Sequence, residues 1–517
     1  MSDAVRNVVI VGGGSAGWLT AAVIAAEHGT APGSRLQVTV VESPEVATIG
    51  VGEGTWPTMR DTLRRIGVSE ADFIRECDAS FKQGSRFNRW VTGAGDDSYF
   101  HPFVLPHGYT ETNLVAGWLA RHPGVAFADL SSFQPHLCAQ GKAPKQASTP
   151  EYAAVANYAY HLDAGKFGLF LRRHCTQQLG VTHVSDHVVA INSHADGDIA
   201  SLQLQSQGAL PGDLFIDCTG MQSLLLGKHF GVPLIPKHHV LFNDTALAVQ
   251  VPYPDEHCEI ASQTSSTAQT NGWVWDIGLP TRRGVGHVYS SAHTTDDAAE
   301  AELRNYITAT GGPEDAGSIR KLSFQPGYRS HFWHRNCVAV GLSAGFIEPL
   351  EASAIALVEL SAVMLADDMP ATRADMPIVA RRFNEAFAYR WERVIDFLKL
   401  HYVLTRRTDT AYWRDNVRPE SIPERLREQL QLWRHRPPSR HDFFRIEEVF
   451  PSASYQYILY GMGFRPDSSV STRRTDAPGV ADGFFRETAQ LTGRMLKALP
   501  GNRELIEHIK RNGLPRI

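Results

Sequence analysis

The stretch Val8–Trp18, VVIVGGGSAGW, decides how this chain is read. Val8, Val9, Ile10 and Val11 form an apolar β-forming run that leads straight into Gly12, Gly14 and Gly17 in the pattern G-x-G-x-x-G. An alanine-rich run, Ala21–Ala26, follows and predicts a helix. Strand, tight turn and helix in that order let the backbone approach a pyrophosphate and set the anion at the positive end of the helix. The next apolar run, Leu36–Val41, ends in Glu42, about 25 residues past Gly17, where a dinucleotide fold places an acid for the ribose hydroxyls. The prediction is an α/β chain with a Rossmann-like dinucleotide-binding domain.

With 517 residues the chain has room for two or three domains and a sizeable core. Its net charge of -5 gives no reason to expect nucleic acid or an anionic membrane as a partner. Cys77, Cys138, Cys175, Cys218, Cys258 and Cys337 are scattered, with no C-x-x-C pair, which predicts a reduced, cytoplasmic interior. No signal core precedes the first strand. The most apolar later run, Ile355–Leu365, is interrupted by Glu359 and too short to span a bilayer. The histidines show no zinc spacing, so no metal is expected.

Ile49–Pro57, IGVGEGTWP, reads either as a simple loop or as a surface of backbone N–H groups and small residues for a flat ring system. A helix is expected over Pro57–Asp78, then a strand over Phe81–Val91 that carries Lys82. Residues 97–151 read as a long irregular insertion containing YFHPF, Tyr99–Phe103. A helix over Ala164–Gln178 and strands over Val181–Leu204 lead to DLFIDCTG, Asp213–Gly220, a strand end of the kind that meets a cofactor in an open α/β sheet. Further strands are expected at Val240–Val251, Gly272–Gly278, Val285–Ser291 and Val338–Gly341. Apolar residues at Phe383, Phe387, Trp391, Val394, Phe397 and Leu398 then mark one buried helix face. The expected organisation is a mixed-sheet core over 1–384 and a mostly helical region over 385–517.

In NCVAVGLSAGFIEPLEASAIALVE, Asn336–Glu359, a buried strand ends at Gly341 and a helix is expected to begin near Pro349. Glu351 then reads as compensation of the helix dipole, or as an acid that works on something. The N–H groups of Ser353 and Ala354 would make a small-anion site at that helix start.

VGGGSAGW, GVGEGTWP, FKQGSRF, YFHPF, DLFIDCTG, GWVWDIGLP and GFIEPLEAS, taken in that order, resemble the flavin-dependent tryptophan halogenase family. The most specific is GWVWDIGLP, where Trp273, Trp275 and Ile277 match the family's W-x-W-x-I-P and Gly278 stands in place of its proline. The resemblance implies that Lys82 and Glu351 are catalytic, that Ser353 and Ala354 hold the halide, and that His101 and Phe103 grip the substrate ring. It further implies that FAD, working as FADH2, is held by Gly12, Gly14, Ser15, Ala16, Gly17, Glu42, Gly52, Glu53, Asp217, Gly220, Gly341 and Ile355. In the family the two tryptophans lie beside the flavin, hypohalous acid is made there, and the lysine and glutamate deliver it to the aromatic ring.

This chain reads Ala352-Ser353-Ala354 where the tryptophan enzymes typically have Ser-Thr-Gly, so bromide is expected to serve as well as chloride, or better. FPSASYQYILYGMGF, Phe450–Phe464, offers Tyr455 and Tyr457 as aromatic contacts but not the usual tryptophan-holding pattern. An indole-type aromatic without the amino-acid part is therefore the expected substrate. No second nucleotide fingerprint is present, which implies that a separate flavin reductase supplies FADH2. Two other readings stand beside this one: a flavin-dependent aromatic hydroxylase, and a hydrolase built on the G-x-S-x-G matches around Ser15 and Ser343.

Overall fold

The computed structural model describes residues 4–29, 36–45, 52–443, 445, 448–467 and 476–516. The chain forms two compact units, each assembled from three stretches: Met1–Ala79, Leu162–Lys237 and Phe324–Trp391 in the first, and Ser80–His161, His238–Ser323 and Glu392–Ile517 in the second. The 97–151 stretch and nearly all of 385–517 thus lie in the second unit, and the helix Met376–Val403 runs unbroken through residue 384.

The first unit is built on a six-stranded sheet in the order Trp333–His334, Cys337–Ala339, Leu214–Asp217, Asn7–Val11, Gln37–Glu42, Thr182–Ser185. All neighbours are parallel except Trp333–His334. Val8, Val9 and Ile10 are at most 1% exposed, as expected of a strand covered on both faces. The helix Ser15–His28 is buried continuously from Gly17 to Ala25, because helices Ala164–Gln177 and Ser353–Asp367 both pack on it. Its sequence is apolar on all sides for that reason. Strand order turns about Asn7–Val11, so the crevice at the carboxyl ends of Asn7–Val11 and Leu214–Asp217 is where such a sheet takes its ligand.

The second unit centres on a seven-stranded sheet in the order Arg320–Ser323, Thr245–Pro252, Arg282–Tyr289, Gly272–Gly278, Thr264–Ala268, Gly84–Asn88, Ser98–Pro102. The helix Asp296–Ala309 covers one end with Ala299, Leu303 and Ile307, which pack on Leu247, Val249, Val274, Val285 and Tyr289. At the other end, helix Ser452–Gly461 lies on Ser98–Pro102.

Several sequence expectations change in detail. The helix expected over Pro57–Asp78 is two, Met59–Arg65 and Glu70–Glu76, broken where Gly67 takes φ 76° and Ser69 caps the second through Asp72 N. The strand expected over Phe81–Val91 is also two, Ser80–Lys82 and Gly84–Asn88, turned at Gly84, where any side chain would run into the His101 carbonyl. The 97–151 stretch is not irregular: it holds the strand Ser98–Pro102 and the helices Leu114–Arg121, Phe127–Ser131 and Gln134–Ala139. Those helices pack on Pro478–Ala498, and Gly117 lets Leu114–Arg121 close up on Ala481. Among the described residues no helix is long and apolar enough to cross a membrane, no His/Cys/Asp/Glu group is arranged for a metal, and the cysteines form no disulfide.

Buried Glu359 ties two helices of the first unit together, accepting from Thr62 Oγ1 at 2.7 Å and Thr58 Oγ1 at 3.4 Å. Burial outweighs those bonds and pushes its carboxyl up to about 8. Between about pH 5 and 8 the folded chain therefore holds a proton that the unfolded chain has released, so stability falls as pH rises. Urea unfolding across that range should show this fall, and Glu359→Gln should flatten it by a few kcal/mol at most; an unchanged slope in the variant would place the proton elsewhere.

Candidate active site

The glycine turn owes its shape to contacts that only glycine permits. Gly12 sits at φ 115°, and a Cβ there would run into the Cys218 carbonyl at the end of the neighbouring strand. A Cβ on Gly17 would strike the Gly12 carbonyl, and one on Gly13 the Glu42 side chain. Gly14 and Gly220 differ, for nothing lies within 4 Å of where their Cβ atoms would be, and this leaves an open face over the turn. The helix Ser15–His28 starts on that face with no side-chain cap and no acid in its first turn, so the N–H groups of Ser15, Ala16 and Gly17 are offered to an anion.

Glu42 ends the strand Gln37–Glu42 beside this turn. Its Oε2 lies 2.9 Å from His183 Nε2 and 3.6 Å from Arg172 Nη1, which holds the carboxylate at the strand end where a dinucleotide fold places an acid for ribose hydroxyls. Gly52 is buried and Glu53 begins a two-residue strand, its carboxyl pushed up to about 7 by burial. Ile49, Gly50 and Val51 of the same motif lie outside the described residues. Gly341, at φ 72°, would place a Cβ 2.9 Å from that of Ala16, so it packs the strand end Cys337–Ala339 against the start of the first helix.

Asp217 works differently from a ligand contact. Its fully buried carboxylate accepts from Thr219 N at 3.1 Å, Thr219 Oγ1 at 2.6 Å, Ser223 Oγ at 3.4 Å, Leu225 N at 2.9 Å and Leu226 N at 2.8 Å. The side chain is therefore spent on holding the loop in which Gly220 lies. Ser343 Oγ donates to the Asp217 and Val340 carbonyls, and Ser15 Oγ to the Ala164 carbonyl at 3.2 Å. Both G-x-S-x-G hydroxyls thus donate to main-chain carbonyls, an arrangement unlike that of a nucleophile.

Open backbone over Gly14, an uncapped helix start and the acid at Glu42 fit the pyrophosphate and ribose of FAD.

Glu351 departs from the first of its two sequence readings, compensation of the helix dipole. The helix expected near Pro349 begins at Ser353, so Glu351 lies ahead of it in the short turn Leu350–Ala352 rather than in its first turn. Glu351 is 6% exposed and left-handed at φ 63°, and Ala352 follows at φ 57°. Backbone in this region is strained for any residue with a side chain and tends to be kept where function needs it. The turn brings the chain to the start of helix Ser353–Asp367, which has neither side-chain cap nor first-turn acid, and whose first N–H groups are those of Ser353, Ala354 and Ile355.

In the second unit Lys82 ends the strand Ser80–Lys82 and is only 1% exposed. Its ammonium lies 5.4 Å from the centre of the Phe103 ring. Pairing of Ser80 with His161 and of Lys82 with Ala159 puts Ser80, Lys82 and His161 on one face. His161 is fully buried with Nε2 2.8 Å from Thr264 Oγ1, and burial first and the Lys82 charge second hold its imidazole well below the usual range. It is therefore neutral beside the lysine. Nothing in the local pattern AYHL singled out His161, because alternation in a fully buried strand carries no polar signal.

Trp273 and Trp275 lie on one face of Gly272–Gly278 with ring centres 6.4 Å apart, both buried. The Trp275 ring occupies the space over Gly286, its partner on the next strand. Gly278 has little room for anything larger, since a Cβ there would lie 3.1 Å from Ile260 Cγ2 and 3.2 Å from Tyr253 Oη. Its carbonyl accepts from Ser80 Oγ at 2.6 Å, which anchors the strand of Lys82 to the end of the tryptophan strand.

His101, 5% exposed, has Nε2 2.9 Å from Ser454 Oγ and its ring 5.6 Å from Phe397 and 6.3 Å from Tyr457. Phe103 is half-buried, and its N–H reaches Gln134 Oε1 at 2.8 Å. Tyr457 donates to the Val104 carbonyl at 3.1 Å, so the helix Ser452–Gly461 does supply aromatic contact here. Tyr455 instead packs among Phe397, Trp433 and Phe443.

Known proteins resemble this chain along nearly its whole length. The tryptophan halogenase family model matches residues 7–477. The chain is 32% identical over 526 residues to 7-chloro-L-tryptophan 6-halogenase KtzR of Kutzneria sp. (strain 744), covering 97% of this chain and 99% of that one. Among solved structures, the tryptophan halogenase of Shewanella frigidimarina NCIMB 400 is 49% identical with a TM-score of 0.96 over 99% of both chains. The flavin-dependent halogenase BrvH of Brevundimonas sp. BAL3 is 35% identical with a TM-score of 0.85 over 98% of this chain and 100% of its own. With its glycine turn, its paired tryptophans and this similarity along nearly its whole length, the chain belongs to the tryptophan halogenase family and is a flavin-dependent halogenase.

Proposed function

We propose that this halogenase works with FAD in its reduced form, FADH2, supplied by a separate flavin reductase in the cytoplasm, and halogenates an electron-rich indole-type aromatic through Lys82 and Glu351. The observation that carries the reading is the burial of Lys82. An ammonium at 1% exposure is costly to keep, and its place beside an aromatic ring suits delivery rather than solubility. Residues 1–384 supply the flavin and halide side of the reaction, and 385–517 complete the grip on the substrate, a role for the later residues supported by the Ser454 and Tyr457 contacts to His101.

Gly12, Gly14, Ser15, Ala16, Gly17 and Glu42 would hold the pyrophosphate and ribose, with Gly52, Glu53, Gly220, Gly341 and Ile355 around the remainder and Asp217 shaping the loop. When bound, the reduced flavin supplies the two electrons that, with oxygen, turn a halide into hypohalous acid. Ser353 and Ala354 N–H groups hold the halide by the same physics that binds anions at any uncapped helix start. Trp273 and Trp275 keep water out of their side of the second unit's sheet. Lys82 hydrogen-bonds hypohalous acid as an ammonium, or as an amine takes its halogen and releases water. The halogen passes to a ring carbon steadied by Phe103 and His101, and the Glu351 carboxylate accepts the proton lost as aromaticity returns. Neutral His161 adds no second positive charge beside Lys82.

An assay with indole, FAD, a flavin reductase, NADH, oxygen and halide, read by mass spectrometry, should give a haloindole isotope pattern. Lys82→Ala should abolish it, and Glu351→Gln should slow it by roughly 100-fold or more. Addition of oxygen without halogen, unchanged in Lys82→Ala, would make the enzyme a hydroxylase instead.

Bromide and chloride offered at equal concentration should yield bromoindole at least as fast as chloroindole, and a strong chloride preference would refute the expectation drawn from Ala352 and Ala354. Free tryptophan should react at least about tenfold less efficiently than indole, through loss of uniform binding; equal efficiency would mean that the chain holds the amino-acid group in some other way.

A further inference from the structure

We propose that Trp56 is a positioning residue for Glu351, holding the turn that carries it; the inference rests on the reading of Glu351 as the acid of the transfer step. Glu351 and Ala352 are the only adjacent pair of non-glycine residues at positive φ among the described residues. Ala352 has no polar side chain with which to offset its strain locally, so each of the two disfavours the turn by roughly five- to thirtyfold. The peptide unit between them is held at both ends. Its carbonyl, that of Glu351, accepts from the Trp56 indole N–H at 2.7 Å. Its N–H, that of Ala352, donates to the Pro349 carbonyl at 3.0 Å. Rotation of this peptide plane changes φ at Ala352 and ψ at Glu351; it is the simplest way for Ala352 to leave the strained region, and it would turn Glu351 and unset the helix start at Ser353. The Trp56 bond opposes that rotation.

Trp56 is itself well placed to hold. Its carbonyl accepts from Met59 N at 3.0 Å, at the start of helix Met59–Arg65, and that helix is fixed to Ser353–Asp367 by the Thr62 bond to Glu359. The segment 56–62 therefore grips the segment 351–359 at two points, and the nearer of them lies on the reacting acid. GVGEGTWP, which the sequence left open between a plain loop and a ring platform, acquires in its tryptophan a mechanical role.

Trp56→Phe keeps the ring and removes the N–H; Ala352→Gly makes left-handed backbone free of strain. Hydrogen–deuterium exchange on the flavin-free chain should run about tenfold faster in peptides covering 348–356 of Trp56→Phe, with Thr245–Pro252 unchanged. The double variant should return to within about threefold of the parent. In the indole assay, Trp56→Phe should lower kcat by about 10- to 100-fold with KM within twofold, and Ala352→Gly should restore most of it. Unchanged exchange and kcat in Trp56→Phe, or loss that Ala352→Gly does not repair, overturns the inference. Glu351→Gln run alongside separates the two claims: full activity there refutes the reading of Glu351 itself, while the exchange result still decides whether Trp56 holds the turn. If the phenylalanine variant does not fold, the benzothienyl analogue at position 56, of the same size but without the N–H, gives the same readings.

Discussion

Close approach of the Gly12 backbone to the Cys218 carbonyl is the constraint on which the first unit depends. Two parallel strands, Asn7–Val11 and Leu214–Asp217, finish side by side, and only a residue without Cβ and with φ near 115° lets the chain turn there into a buried helix. The same closeness makes Asp217 necessary as a staple, since the loop that crosses in front of Gly12 needs its N–H groups satisfied away from water. Once these two strand ends are set, the open face above Gly14 and the acid at Glu42 follow without further invention.

Charge placement governs the rest of the site. Lys82 is buried on a short strand anchored through Ser80 to the tryptophan strand, and the histidine sharing its face is kept neutral by burial and by the lysine itself. Glu351 is held on strained backbone just ahead of an uncapped helix instead of inside it. An acid in that first turn would compete with a halide for the same N–H groups; displaced by two residues, it leaves them to the anion. In the proposed mechanism, the departure of Glu351 from ordinary helix geometry would let anion binding and acid–base chemistry sit in adjacent residues.

Much of this was legible in the sequence where the physics is local. The glycine turn, its flanking strand and helix, the acid at Glu42 and the strand end DLFIDCTG are patterns within a few residues of one another, and each formed as expected. Features that depend on distant partners were not legible. The burial of Lys82 was not legible, because nothing near it announces the cover supplied by residues about 80 and 200 positions away, in the strands of His161 and Gly278. The 97–151 stretch looked irregular because its short helices find their apolar partner in Pro478–Ala498. Asp217 read as a ligand contact for its position at a strand end, and its five bonds to its own loop required coordinates to see. Trp56 lay in a motif already noted, but its bond joins residues 295 positions apart.

The central claim is that making the oxidant and delivering it are separate acts, and that Lys82 belongs to the second. The most direct measurement is the partition of hypohalous acid in Lys82→Met, a neutral side chain of similar length, with indole and a soluble 1,3-diketone trap present together. The account predicts that the variant still halogenates the trap at a rate near that of the parent while haloindole disappears. Haloindole formed at the parent rate, or loss of trap and indole products together, would contradict it.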